Sequence, residues 1–233
     1  MQAISLIGNK KSGKTALATK LCAYLSSQGL RVAAAKFTSH GFERSDSDTA
    51  LLAENCQAVV GISPSESVLI WPRSRFLMDL IPLLEADVLI IEGGRDFQCA
   101  PRILLPQQDG SDDRDLDPQL AVAAWKVGRG SIPIMHTVEE VGQLIMQRGF
   151  LLPGLDCASC GRDNCAQLAM EIVDQKASAA DCQAMKGAMS IRVNGQELGV
   201  NSFVESIISG GIKGMLSQLK GYAPGRIDIS MEL

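Results

Sequence analysis

Aromatic side chains are scarce in this chain: two Trp, two Tyr and six Phe, or 4% of 233 residues. Any core must therefore rest on Leu, Ile, Val, Ala and Met. Basic charge is not in excess either. The formal net charge is −4 and the sequence pI about 5.3. That balance argues against a nucleic-acid binder, which usually carries a basic patch or stripe. It leaves room for a local basic pocket that takes phosphates. No stretch approaches the ~20 apolar residues that a bilayer-spanning helix needs. The first residues read as a strand entering a glycine loop, not as a charged segment followed by an apolar one. No secretory leader is expected, and the expected location is the cytoplasm. In that reducing setting the seven cysteines are read as ligands or buried thiols, not disulfides.

What is present begins with Gly8-Asn9-Lys10-Lys11-Ser12-Gly13-Lys14-Thr15. It matches G-x-x-x-x-G-K-[ST] throughout, after the apolar run Ala3 to Ile7 and before a helical pattern from Lys14 to about Gln28. The glycines let backbone N–H groups turn onto phosphate oxygens, and the helix dipole adds to the attraction. All eight residues are nucleotide-binding candidates. Lys14 is expected to reach the β- and γ-phosphates and act catalytically, and Thr15 to offer its hydroxyl to Mg²⁺. Glu92 ends the apolar run Val88-Leu89-Ile90-Ile91 and precedes Gly93-Gly94. In open α/β sheets ligands gather at that edge. Glu92 is thus the candidate that holds Mg²⁺ through its water or polarises an attacking water. Asp46 and Asp48 are further magnesium candidates, two residues apart in a polar loop. Lys36, His40 and Arg44 flank them and could bind anionic groups of a second substrate; a solvated loop explains them equally well. There is no N-K-x-D guanine signature, so the residues alone do not choose GTP over ATP.

A second signal lies near the C-terminus. Cys157, Cys160, Cys165 and Cys182 are spaced C-x2-C-x4-C-x16-C. Three thiolates within nine residues can fold around one inorganic cluster, and a following segment can close it. Pro153-Gly154 and Gly161 favour a tight wrap. Zinc is the rival. Four-cysteine zinc sites usually pair two C-x2-C knuckles, and here the second pair is missing. Cys22, Cys56 and Cys99 are isolated and are expected in or near the core.

The pattern of elements predicts an α/β fold. Strands are expected at Ala3 to Ile7, Arg31 to Lys36, Val59 to Ile62, Ser67 to Trp71, Asp87 to Glu92, Arg102 to Leu105, Leu120 to Trp125 and Ile132 to Met135. Helices are expected at Lys14 to Gln28, Thr49 to Asn55, Arg73 to Glu85 and Val138 to Gln147. Such alternation predicts a mostly parallel sheet covered by helices on both faces. Gln107 to Asp117 reads as an acidic loop and the segment expected to move. The expected domains are a nucleotide-binding domain over 1–149, a four-Cys iron–sulfur α+β module over 150–187, and a small α+β segment over 188–233. In the last, Asn194-Gly195 predicts a hairpin, Phe203 to Leu219 a helix, and Arg226 to Met231 a final strand.

These residues resemble the molybdopterin-guanine dinucleotide biosynthesis protein B (MobB) family. The resemblance is carried by the phosphate loop, Lys36-x3-His40-Gly41 with Asp46-x-Asp48, Ile90-Ile91-Glu92-Gly93, and Pro101-Arg102-Ile103. It covers about residues 1 to 148. It implies a P-loop NTPase-type fold and a homodimeric GTP-binding protein that assists attachment of a nucleotide to molybdopterin. It further implies a molybdopterin nucleotidyltransferase and molybdenum or tungsten enzymes as partners. Residues 155 to 182 resemble a different unit, the small four-cysteine [4Fe–4S] domain of corrinoid iron–sulfur proteins and electron-transport subunits. The simplest MobB proteins lack that unit. The function expected is therefore a nucleotide-binding and nucleotide-hydrolysing accessory protein of molybdenum or tungsten cofactor synthesis that carries a [4Fe–4S] cluster. If it turns nucleotide over, the activity expected is that of a weak P-loop GTPase or NTPase. Two other readings stay open. One is a nucleotide-driven electron donor or metallocluster-loading ATPase. The other is a non-catalytic nucleotide-binding adapter.

Overall fold

A computed structural model of the chain describes residues 1–39, 41–42, 48–107, 116–128, 130–186, 189, 191–198, 202–223, 227–229 and 231. The elements in chain order are β1 (Gln2–Gly8), α1 (Lys14–Ser27), β2 (Val32–Lys36), α2 (Asp48–Ala53), β3 (Val59–Ile62), β4 (Ser67–Ile70), α3 (Leu77–Leu80), β5 (Val88–Glu92), β6 (Arg102–Leu105), β7 (Ala121–Trp125), β8 (Ile134–Met135), α4 (Val138–Arg148), α5 (Cys165–Val173), α6 (Gln183–Lys186), β9 (Ile191–Val193), β10 (Gln196–Leu198) and α7 (Ser202–Leu216). Six strands form one sheet in the order β2-β5-β1-β6-β7-β8, and every neighbouring pair is parallel. Parallel strands are covered on both faces, so they read as apolar runs rather than alternations. Val88, Leu89, Ile90 and Ile91 of β5 are all completely buried.

The pleat sends alternate residues to opposite faces. Ile4, Leu6, Val88, Ile90, Ile103 and Leu105 meet Leu17, Leu21 and Leu25 of α1 and Val141 and Ile145 of α4. The three leucines of α1 recur every four residues and so form one stripe. Gly142 of α4 lets the two helices close up: a Cβ there would lie 2.4 Å from Cε1 of Tyr24. Thr137 and Glu140 form a capping box that starts α4. On the opposite face Ala3, Leu89 and Ile91 pack with Ala100 and Leu151, and with Leu77, Met78, Ile81 and Leu84 around α3.

Three expectations need correction. The helix expected over Arg73 to Glu85 is only the four residues of α3, continued as a 3₁₀ turn over Ile81–Leu83. Pro82 has no N–H to donate to the carbonyl four residues back, so the α-helical ladder stops there. The strands at 59–62 and 67–70 do not join the six-stranded sheet. They form a separate antiparallel hairpin, β3 with β4. The strand expected from Arg226 to Met231 is not seen among the described residues: 227–229 are not in a strand, and 226 and 230 lie outside. The Asn-Gly hairpin does form, β9 with β10, with Asn194 at φ 53° and Gly195 at φ 78°. Those values suit the type I′ turn that this dipeptide favours.

The segment after α4 returns to the sheet domain. Phe150 and Leu152 share a core with Leu120, just before β7, and with Cys165, Leu168, Ala169 and Cys182. The Leu152 N–H donates to the Cys99 carbonyl at 2.8 Å. An Arg148 Nη2 donates to the Val173 carbonyl at the end of α5. The four-cysteine region and the sheet domain are thus held by common apolar contacts and by hydrogen bonds.

Candidate functional site

The phosphate loop connects β1, at the middle of the sheet, to α1. Its first glycine is hemmed in: a Cβ at Gly8 would lie 2.3 Å from Ser12 Oγ and 2.8 Å from the Leu105 carbonyl. Gly13 has φ +88°, a value that glycine adopts freely and other residues do not. Between them Lys11 also has positive φ, 66°. The Lys14 ammonium donates to the carbonyls of Gly8 at 3.0 Å and Asn9 at 2.7 Å, so it lies across the mouth of the loop. Ser12 Oγ is buried and has no hydrogen-bond partner among the described residues. Buried polar atoms are normally paired. A phosphate oxygen is a partner of the right kind for it, and the loop fits that group.

Glu92 stands where the strand pattern placed it, at the end of β5. Thr15 Oγ1 donates to Glu92 Oε1 at 2.7 Å, joining the start of α1 to the strand end. These are the two oxygens expected to hold Mg²⁺, and they converge. Lys36, from the end of β2, lies 3.3 Å from the same carboxylate. The register explains the meeting, since Lys36 is directly paired with Glu92 across β2 and β5. Burial pulls the Lys14 ammonium below its ordinary pKa; Glu92 opposes this, while Arg95 and Lys36 add to it. Asp48 opens α2, and no hydrogen bond or ion pair joins it to Thr15 or Glu92 among the described residues. Asp46, His40 and Arg44 lie outside the described residues.

Sequence reasoning missed Arg95. Its guanidinium donates to the side-chain oxygen of Asn9 in the phosphate loop. A motif search could not have found it, because the position depends on the turn after Glu92. Asp87, at the other end of β5, takes no part. It accepts two bonds from the Arg31 guanidinium, at 3.1 and 2.8 Å, and its carboxyl is held well below the usual range, at about 2.

The four cysteines at the C-terminal end are brought together. Cys157, Cys160, Cys165 and Cys182 all line one cavity, with Arg162 and Leu168. Cys165 and Cys182 are buried and the other two half-buried, and all are free thiols. The wrap is made by left-handed residues at Gly154, Asp156, Ala158 and Gly161. Asp156 Oδ1 accepts from the Cys165 N–H at 2.7 Å. Asn164 caps α5 by accepting from the Gln167 N–H at 2.9 Å, which puts Cys165 on the first turn. The helix dipole favours a thiolate there, against the burial that pushes the Cys165 thiol up. Arg162 pairs with Glu171 at 2.7 Å and donates to the Cys160 carbonyl at 2.8 Å, crossing the wrap. Among the described residues no three His, Cys, Asp or Glu groups converge on a single ion. Four thiols are a ligand set of the kind that an iron–sulfur cluster or a zinc ion takes. Of the other cysteines, Cys22 packs on the core and Cys99 lies against the four-cysteine core, its thiol pushed up to about 12 mainly by burial. Cys56 was expected near the core but is exposed, because it follows the short α2 at the surface.

The model of the molybdopterin guanine dinucleotide synthesis protein B family matches residues 3–125, more than half of the chain. The chain belongs to the MobB family. Membership associates it with nucleotide binding and with molybdenum cofactor biosynthesis. A second family model, described as "Putative Fe-S cluster", matches residues 152–184, which contain all four cysteines. The chain is similar to the crystal structure of Bacillus subtilis MobB, with 23% identity, 64% of this chain and 99% of that chain covered, and a TM-score of 0.49. It is also similar to a MobB protein homolog from Bacillus stearothermophilus, with 20% identity, coverage of 63% and 94%, and a TM-score of 0.44. No curated protein matches at a significant level. No helix among the described residues is long and apolar enough to cross a membrane.

Proposed function

We propose that this MobB-family chain is a GTP-binding and slowly GTP-hydrolysing accessory protein of molybdopterin guanine dinucleotide synthesis, with a [4Fe–4S] cluster. The observation that carries it is the meeting of Thr15, Glu92 and Lys14 at one loop, at the edge of a parallel sheet where ligands bind. In this reading the loop and Ser12 hold the phosphates, Lys14 moves from its carbonyls onto them, and Thr15 and Glu92 hold Mg²⁺. That ion, when bound, neutralises charge on the β- and γ-oxygens. Asp48 and Asp46 are the second choice for metal ligation. Cys157, Cys160, Cys165 and Cys182 hold the cluster, which supplies either rigidity or one-electron chemistry. The chain acts as a homodimer beside the pathway's nucleotidyltransferase.

The test is anaerobic purification with iron, sulfide and bound-nucleotide analysis, followed by two substitutions. Lys14→Ala should abolish nucleotide binding and keep the fold. Glu92→Gln should keep binding and lose hydrolysis by about 10²-fold or more. Unchanged affinity in Lys14→Ala would refute the phosphate-loop assignment. Unchanged kcat in Glu92→Gln would move the catalytic carboxylate to Asp48 or Asp46.

A further inference from the structure

We infer that Arg95 is a ligand of the nucleotide's terminal phosphate, supplied by the chain itself, and that the buried Arg102 holds it in place. The inference rests on the phosphate-loop reading above.

Arg95 lies three residues past Glu92, on the turn between β5 and β6. Its guanidinium donates to the Asn9 side chain, while the Lys14 ammonium donates to the Asn9 backbone carbonyl. Two cations from different elements therefore converge on one loop residue. A phosphate within reach of Lys14 is within reach of Arg95. Lys36 brings a third cation close to the same place, through Glu92. In loops of this type the backbone N–H groups occupy the inner phosphates, and the lysine spans the outer two. A guanidinium that joins the lysine at the mouth, from the strand side, meets the oxygens that the backbone leaves over. Its planar fork suits those oxygens.

Arg102 explains why Arg95 stays there. Its side chain is 2% exposed. Burying a charge is costly unless hydrogen bonds compensate. An Nη2 donates to the Arg95 carbonyl and, at 3.3 Å, to the Phe97 carbonyl. Nη1 faces Asp117 at 3.8 Å. Arg102 is therefore fastened to the backbone of the Arg95 turn from beneath. Phe37 fixes the turn from the side: Gly94 has φ +74°, and a Cβ there would lie 2.7 Å from Phe37 Cδ2. The turn is pre-organised, so little ordering is left for binding to supply. Arg95 is the phosphate ligand and Arg102 the positioning residue.

The experiment compares the affinities of the full chain for GTP, GDP, ATP and ADP with Mg²⁺. Arg95→Ala should weaken triphosphate binding by about tenfold or more, the scale of a charged hydrogen bond. Diphosphate binding should change by less than about twofold, and Arg95→Lys should recover part of the loss. Arg102→Lys keeps the charge but loses the fork. It should lower the triphosphate-to-diphosphate preference in the same direction. An equal loss for both nucleotides in Arg95→Ala, or none for either, overturns the assignment. A fall in Tm for Arg102→Lys with the preference unchanged overturns the positioning role. Lys14→Ala separates the two readings. If it leaves both affinities unchanged, the phosphate-loop reading itself fails. If it abolishes both while Arg95→Ala changes neither, only the present inference fails.

Discussion

Gly8→Ala tests whether the phosphate loop is built against the sheet as described. Gly8 pairs with Leu105 in the β1–β6 register. The added methyl would meet Ser12 Oγ at 2.3 Å, the Leu105 carbonyl oxygen at 2.8 Å and Leu105 Cβ at 3.0 Å. The Ser12 hydroxyl can swing away. The Leu105 atoms cannot, because they belong to a buried strand inside the sheet. Overpacking of a tight core costs about 1–3 kcal/mol, and an unyielding backbone neighbour puts this site in the upper half, about 2–3 kcal/mol. For a chain of this size that corresponds to a fall in Tm of roughly 4–12 °C. Gly13→Ala is the informative comparison. Nothing lies within 4 Å of a Cβ there, so its cost is the left-handed backbone alone, about 1–2 kcal/mol. Urea denaturation gives both costs, and nucleotide titration should show weaker binding in each variant. Adding Ser12→Gly to Gly8→Ala removes one of the contacts and should return less than half of the lost stability. A Gly8→Ala protein with wild-type midpoint and affinity, or full recovery through Ser12→Gly, would refute the packing argument.

Cys182→Ser should lower iron and sulfide content and bleach the visible absorption of anaerobically purified protein; Cys22→Ser and Cys56→Ser should not, and one tight zinc per colourless chain would overturn the cluster reading. Asp87→Asn should cost stability at neutral pH through loss of the Arg31 pair. The folded carboxyl sits near 2 against an ordinary 3.8, so the stabilisation is complete above about pH 4 and fades as pH falls toward 2. Melting curves from pH 2 to 6 should show the wild-type advantage vanish over that window; a constant gap would mean that the pair is not its source.

The central strands, α1, α4 and the phosphate loop were legible in the sequence because each is specified locally. Glycines sit at fixed offsets in the loop, leucines recur every four residues in α1, and β5 is an unbroken apolar run. Glu92 was legible for the same reason: it ends that run. That the four cysteines come together at one cavity was legible from their spacing. What escaped depends on contacts distant in sequence. Arg95 matters through Asn9, 86 residues earlier. Arg102 was legible as part of Pro101-Arg102-Ile103, but its hold on the Arg95 turn shows only in the structure. The Val59 and Ser67 strands have the composition of sheet members, yet among the described residues they pair with each other and not with the six-stranded sheet. Pro82 was the one local cue passed over, and it ends a helix whose apolar pattern runs on.

The apolar contact of Phe150, Leu152 and Leu120 with Leu168 and two of the cysteines has a consequence for the life of the chain in a cell. Ligands that bind only the folded state add their binding free energy to its stability. A cluster held by Cys165 and Cys182 would extend that effect through Leu120 to the start of β7. Iron supply and oxygen exposure would then set how much of the whole chain stays folded and escapes proteolysis, including the nucleotide end. The protein's abundance would follow the metal even where its nucleotide site is intact.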